Sequence, residues 1–422
     1  MLPKPLLANN HPVPRDALPH LTGTDRGLGL IGVSVRAAVE ALGPIGVSLV
    51  RDVFCDWDTE AALPNRCQTF SLTAPSTALF GIEPTTMDWL PVGGFDLAPE
   101  GLAMLQEAPH RRLGFSLEAI RFSKSIERWS HRLQQAGLAI PKFTTATQCP
   151  PGRWHLKQNW PESPNPWFWQ QHVEGELGSA IFLAQDTGVE LIGCSHLFVR
   201  ADWRYQGNVA NQIWPSAPVR QSLQEIAQIL AQDLHPRGLF GIDFILGEQL
   251  WPLEINPRPT ASVEVLAGLL HRNLYQEHLH ACHAQRTEAT NRDTAPASTG
   301  QASTGPASTG HSSTAADSRE RSCDRIFAKY IVYNSDCELD ITAERFSRLV
   351  QCHSFQSITD RESHLPTGRF RIADLPHPDT KIPPHEPVCT ILYQSSVGPG
   401  TREFSASEIW QGLNSLADTL FS

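Results

Sequence analysis
The chain lacks any apolar run approaching the ~20 residues that a membrane-spanning helix needs, and its proline-rich start, Met1 to His20, has no leader-like apolar core. It lacks a basic surplus as well: the formal charge is -10, so no excess of lysine and arginine is available to neutralise nucleic-acid phosphates. No Cys-x-x-Cys pair occurs among the nine cysteines, and their odd number does not close into a disulfide framework. These absences argue against membrane and nucleic-acid partners and against structural zinc. They predict a protein of the reducing cytoplasm. What remains is 422 residues of ordinary apolar content, enough for two or three domains.

The most informative stretch runs from Gly241 to Arg258. Two apolar-rich runs flank Gly247, Glu248 and Gln249, which is the pattern of a β-hairpin. A two-residue loop at Glu248 and Gln249 predicts that Phe244 faces Leu253, Leu246 faces Trp251 and Ile242 faces Ile255. Those six side chains share one face, because strand side chains alternate. On the other face Asp243 lies opposite Glu254, with Asn256 two residues further along. Like charges set opposite each other on paired strands are destabilising. Asp, Glu and Asn offer hard oxygen ligands, which suit Mg²⁺ held by one or two carboxylates and nucleotide phosphates. Arg258, between Pro257 and Pro259, could clamp a phosphate or carboxylate with two parallel hydrogen bonds. The plainer alternative is a solvated hairpin edge carrying scattered charges.

Asp243, the turn and the run Glu254-Ile255-Asn256-Pro257-Arg258 together resemble the metal-binding end of the ATP-grasp fold. The resemblance implies an α/β protein: two α+β ATP-grasp lobes, a doubly wound domain before them and a small β-rich domain after them. It implies Mg²⁺, or Mn²⁺ in its place, on Asp243, Glu254 and Asn256, and Arg258 as the catalytic group touching phosphate or acyl phosphate. Such enzymes hold Mg-ATP between two lobes and join a small-molecule carboxylate to an amine.

The rest of the chain is then divided as residues 1–120, a pre-ATP-grasp α/β domain; 121–284, the two ATP-grasp lobes; 285–321, a linker; and 322–422, a β-rich domain. In the first, Leu28 to Gly32 reads as a strand. Val33 to Leu42 reads as a helix with Ser34 as cap and Arg36 in its first turn, and Ile45 to Val50 as a second strand. Gly27-x-Gly29-x-x-Gly32 matches a dinucleotide pattern on paper. Its first two glycines fall before or inside the strand, not in the turn after it, which argues against NAD. The acidic run Asp52, Asp56, Asp58 resembles a carboligase-like subfamily related to biotin carboxylase; the alternative is a solvated loop.

Lys124 precedes an amphipathic helix in which Ile126, Trp129 and Leu133 recur at helical spacing, stopped by Gly137 and Pro141. In the family a lysine at this place reaches the nucleotide phosphates, and Lys157, at the end of the short strand Trp154 to Lys157, contacts ATP. The family's glycine-rich phosphate loop is missing. Residues 158–166 contain no glycine and three prolines, which remove backbone donors. Gln170, Gln171, His172 and Val173 match the linker that meets the adenine edge, with glutamine in place of the usual acid, and Glu176 matches the ribose-binding acid. The cluster Trp167-Phe168-Trp169 reads as core packing. Helices are expected over Gln221 to Leu234 and Val263 to Leu279, and antiparallel strands over Leu177 to Leu183 and Val189 to Val199.

From Pro296 a five-residue repeat of Ala, Ser, Thr and Gly has no side chain large enough to offset ordering, so Gln285 to Arg321 is expected to be a flexible tether. Beyond it, Ile326 to Tyr333 and the segment Ile372 to Leu392 read as strands, Cys389 as a core residue and Ser407 to Leu420 as a helix. The resemblance implies an ATP-dependent carboxylate–amine ligase, in a subfamily associated with tetrahydromethanopterin- or methanofuran-linked one-carbon metabolism. The missing glycines keep a second reading open, a degenerate member that binds nucleotide without ligating.

Overall fold
A computed structural model describes residues 26–71, 87–97, 99–105, 110–158, 163, 165, 167–283, 325–359, 365–395 and 404–421. The expected tether 285–321 and most of the glycine-free loop 158–166 lie outside these residues.

The first part is a parallel sheet in the order β3-β2-β1-β4-β5, built from β1 (Gly27–Gly32), β2 (Leu49–Asp52), β3 (Cys67–Thr69), β4 (Met87–Pro91) and β5 (His110–Arg112). Its strand order reverses between β1 and β4, where such sheets open a crevice at the carboxyl ends. The glycines of β1 serve packing. A Cβ on Gly29 would meet the Trp89 ring at 2.5 Å, and one on Gly32 would meet Val92 at 2.4 Å. All three glycines of the apparent dinucleotide pattern lie within β1 itself.

Helix α1 spans Arg36–Leu42, shorter than expected, and Ser34 does not cap it. Asp52 takes that role from the end of β2, accepting the Val35 amide at 2.7 Å. The acidic run is therefore neither a solvated loop nor an open cluster. Asp52 also accepts the Phe54 and Cys55 amides, and Asp58, in α2 (Trp57–Ala62), accepts the Asp374 and Leu375 amides. Cys55 and Cys67 are joined as a disulfide with Cα atoms 6.2 Å apart, a pairing the cysteine pattern did not predict.

Two helices follow, α4 (Leu117–Lys124) and α5 (Ile126–Gln135), after the short α3 (Pro99–Met104). Lys124 closes α4, and the Ser125 hydroxyl caps α5 by accepting the Arg128 amide. Gly137, at φ +80, provides the left-handed stop. The small lobe is a three-stranded sheet in the order β6-β8-β7: β6 (Phe143–Thr144), β7 (Trp154–Gln158) and β8 (Trp167–Gln171). Only Phe168 of its aromatic triplet is fully buried. Trp167 is exposed and Trp169 half-buried, on the outer face, so the tryptophans are not core.

The large sheet runs β13-β12-β9-β10-β11-β14-β19-β17-β16. Its first five strands are β9 (Glu176–Gln185), β10 (Gly188–Val199), β11 (Tyr205–Asn211), β12 (Gly238–Leu246) and β13 (Leu250–Asn256). The C-terminal segment continues the same sheet through β14 (Ile326–Tyr333), β16 (Gln356–Ile358), β17 (Gly368–Ala373) and β19 (Pro387–Ser395), with β14 antiparallel to β11. The small pair β15 (Leu339–Asp340) and β18 (Lys381–Ile382) lies apart. Helix α6 (Ala217–Leu234) packs on β10 beside α4 and α5, while α7 (Ser262–Leu270) lies against β10, β11 and β14. The expected helix to Leu279 breaks at His271, which adopts φ +53, and resumes as α8 over 274–283. Helices α9 (Ala343–Gln351) and α10 (Ala406–Phe421) complete the C-terminal segment, and Cys389 is buried as expected. One apolar core joins Trp89 of the first sheet and Phe95, in the turn after β4, to Trp129, Phe168, Phe182 and Phe240.

Candidate functional site
The hairpin β12–β13 sets Asp243 opposite Glu254 and Ile242 opposite Ile255, as the alternation predicts. The turn has three residues, Gly247 to Gln249, instead of two. Near it Leu246 pairs with Leu250, Ile245 with Trp251 and Phe244 with Pro252. The expected pairs Phe244–Leu253 and Leu246–Trp251 are therefore replaced. A bulge opposite the Asp243/Phe244 step takes up the extra residue and restores the register at the acids. Gly247 is required at the turn, because a Cβ there would sit 2.3 Å from the Glu174 carbonyl oxygen. The hairpin tip thus packs on the linker between the lobes.

Burial, together with the negative charge of Glu254, raises the Asp243 carboxyl to about 6, although Ser179 and Asn256 partly offset this. Asn256 donates its side-chain amide to Asp243 Oδ2 at 3.0 Å. Glu254 keeps an open edge, with its side chain 40% exposed, and Lys124 Nζ donates to its Oε1 at 3.1 Å. Burial acts to raise the Glu254 carboxyl, but the ammoniums of Lys124 and Lys157 outweigh it and hold the group below its ordinary range.

A residue that the sequence did not flag completes the arrangement. Asp96 follows β4 at the carboxyl end of the first sheet, beside the strand-order reversal, and is 2% exposed. It bridges Lys124 Nζ at 2.8 Å and Arg258 Nε at 2.5 Å. Burial would raise its carboxyl, and the two cations instead hold it well below the usual carboxylate range. Arg258, Asp96, Lys124 and Glu254 thus form a chain of alternating charge, with Asp243 as an additional acid. A divalent cation fits this donor set: two facing carboxylates and an amide oxygen, all hard ligands, with one acid destabilised by the other. Among the described residues no group of three or more His, Cys, Asp or Glu side chains is placed to hold a metal. The set here is two acids and an amide.

On the small lobe, cross-strand pairing puts Lys157, Phe168, His155 and Gln170 on one face and Gln171 on the other. Lys157 Nζ donates to Gln170 Oε1 at 3.3 Å. Gln171 accepts the Lys142 amide at 3.4 Å. His172 Nδ1 lies 2.7 Å from His155 Nε2, and its Nε2 lies 3.1 Å from Glu174. Val173 follows β8 in the linker. Glu176 accepts the Trp214 indole N–H at 3.0 Å, and Trp214 stacks between His196 and Phe244.

Residues 153–262 match the family model described as the ATP-grasp domain. That stretch is an ATP-grasp domain by its match to the family model. The matched region carries Lys157, the linker from Gln170, Glu176 and the whole hairpin through Arg258; Lys124 and Asp96 lie before it. The biotin carboxylase of Campylobacter jejuni, solved as a β-γ-ATP complex, is similar over 87% of both chains, with a TM-score of 0.58 and 10% identity. The N5-carboxyaminoimidazole synthase of Aspergillus clavatus, solved with ADP and 5-aminoimidazole ribonucleotide, is similar over 94% of this chain and 98% of its own, with a TM-score of 0.58 and 13% identity. The biotin carboxylase domain of the Hydrogenobacter thermophilus 2-oxoglutarate carboxylase, solved with MgADP and bicarbonate, covers 86% of this chain and 85% of its own, with a TM-score of 0.55 and 9% identity. At these identities the likeness establishes the ATP-grasp fold with its preceding α/β domain and following β-rich segment. No curated protein matches the chain by sequence. No helix among the described residues is long and apolar enough to cross a membrane.

A second ionic network lies apart from the hairpin, where α1, α7 and the C-terminal strands meet. Arg36, 1% exposed, reaches Glu264 at 2.7 Å, Asp374 at 2.7 Å and Glu40 at 3.1 Å. Lys329 holds Glu264 at 2.8 Å, and Arg371 holds Glu40 through both its terminal nitrogens.

Proposed function
We propose that the protein is a Mg²⁺- and ATP-dependent ligase that joins a carboxylate to an amine through an acyl phosphate. The observation that carries this reading is the Asp243–Glu254 pair, facing each other inside an ATP-grasp sheet with Lys124 and Arg258 beside it. The nucleotide complexes of the three similar structures support it. Asp243, Glu254 and Asn256 would hold the metal, which when bound supplies charge neutralisation for the phosphates. Lys124 and Lys157 present ammoniums to phosphate oxygens, and Arg258 presents a planar fork to the anionic carbonyl and phosphoryl oxygens. Gln170, His172 and Val173 line the base, and Glu176 accepts from the ribose. Catalysis of this kind rests on positioning and charge.

The sequence resemblance makes glutamate and a tetrahydromethanopterin- or methanofuran-type precursor the first pair to screen. The competing reading, nucleotide binding without ligation, rests on the glycine-free loop 158–166. ADP release that requires both a carboxylate and an amine supports the ligase; release that ignores both supports the second reading. Glu254→Gln tests the site directly. It should weaken Mg-ATP at least tenfold, about 1.4 kcal/mol, while the melting temperature without nucleotide moves little. Equal affinity in variant and parent refutes the metal role.

A further inference from the structure
We propose that the Cys55–Cys67 disulfide is a site of thiol–disulfide exchange with a small thiol that carries a carboxylate, received in the recess beside it. The inference does not depend on the nucleotide site. An open recess of about 470 Å³ is lined by Arg51, Phe54, Glu60, His377 and both cysteines, among others. That is the size of a small-molecule pocket. The two sulfurs differ in access: Cys55 is 8% exposed, whereas Cys67 is half-buried. Access helps to decide which sulfur of a disulfide is attacked. Cys67 is therefore the one that an incoming thiolate reaches.

Arg51 gives the recess its charge preference. It lies in β2, is 4% exposed, and burial pushes its guanidinium below the ordinary range. Its Nη1 donates to the amide oxygen of Gln68, a neutral group. A buried guanidinium gains from a carboxylate, whose shape matches its planar fork. Glu60, the acid on the recess, is exposed, so water and salt screen its charge. Phe54, also exposed, offers an apolar wall to the carbon chain of a thiol. The exchange needs no oxidant. The thiolate attacks Cys67 Sγ and the bond to Cys55 breaks. Cys55 leaves as a thiolate and takes up the proton that the incoming thiol released, so one disulfide replaces another. Cys55 stays in place for the reverse attack. Its amide donates to Asp52 Oδ1 at 2.9 Å, and its carbonyl accepts from His377 Nε2 at 2.9 Å.

The test follows mixed-disulfide formation by mass spectrometry on the oxidised full chain, its accessible free thiols alkylated. The probes are 3-mercaptopropionate, 2-mercaptoethanol and cysteamine, which carry an anion, a neutral hydroxyl and a cation. Each rate is divided by the rate on the urea-unfolded chain with all its free thiols alkylated, which removes the intrinsic reactivity of the thiol. The folded-to-unfolded ratio should be roughly five- to tenfold higher for 3-mercaptopropionate than for 2-mercaptoethanol, and lowest for cysteamine, with the adduct on Cys67. In Arg51→Gln the three ratios should converge; the arm on the parent needs no variant to fold. Equal ratios in the parent overturn the inference, as does an adduct confined to Cys55 or a folded chain that fails to react while the unfolded one does. An oxidised chain in which Cys55 and Cys67 are not joined overturns it too. A preference for the anionic thiol that survives in a folded Arg51→Gln also overturns it, because the carboxylate would then be received elsewhere.

Discussion

Two buried ionic networks tie the first sheet to the large one, and they differ in how completely their charges close. Around Arg36, three cations alternate with Glu40, Glu264 and Asp374, and each acid meets at least one cation. Burial alone would raise the Glu264 carboxyl, yet Arg36 and Lys329 bring it down to about 2. Around Asp96, two cations face three acids, and Asp243 meets the neutral side chains of Asn256 and Ser179 and a repelling neighbour. The same ingredients give a closed brace in one place and an unfinished one in the other. The unfinished network is the one positioned to gain from a cation carrying a polyphosphate. The closed network holds α1, α7 and the C-terminal strands in one body.

The sharpest way to break this comparison is to open the closed network. Arg36→Met should cost about 3–5 kcal/mol, because it leaves carboxylates buried beside no adequate counter-charge. Urea unfolding measures it. A loss below about 1 kcal/mol would mean that the network braces nothing. Glu254→Gln should spare stability and weaken Mg-ATP binding at least tenfold, the opposite pattern.

Not all of this contrast was legible in the sequence. Asp243, Glu254, Asn256 and Arg258 could be placed because strand alternation and one short turn fix their geometry locally. The three-residue turn shifted the outer pairs, and a bulge invisible in composition restored the register where it matters. Asp96 gave no local signal. It is brought beside Arg258 only by the fold of the first sheet, and its burial comes from that packing. Arg36 read as an ordinary first-turn residue, since Glu264, Asp374 and Lys329 reach it from distant segments. The C-terminal segment read as a separate β-rich unit for a similar reason: its strands have apolar faces, but the partner of β14 is β11, on the far side of the repeat region. Gln170 and Gln171 looked equivalent in the linker, and only the strand pairing shows that they face opposite ways.

A pH series sharpens the comparison from the side of the closed network. Burial, and then the charge of Asp374, raises the Asp58 carboxyl to about 7, even though two backbone amides donate to it. The unfolded value is about 3.9. A carboxyl raised on folding favours the folded state while protonated, and that contribution fades as the pH climbs from about 4 through 7. Stability of the parent should therefore fall across this window relative to Asp58→Asn, which cannot titrate. Parallel stability curves for the two proteins would show that Asp58 does not titrate in the window.

The smallest effect is expected from the repeats. Removing 296–315 shortens the connection between α8 and β14 from 42 residues (284–325) to 22. If that stretch buries nothing, halving it only lowers the entropy of closing the loop, a gain of about 0.6 kcal/mol. Nucleotide affinity should not change, because β14 is held to the large sheet by its register with β11 and β19 and not by the connection. A weakened nucleotide site, or a loss of more than about 1 kcal/mol in urea unfolding, would show that the repeats contact one of the two networks. The contrast between them would then have to include a third partner.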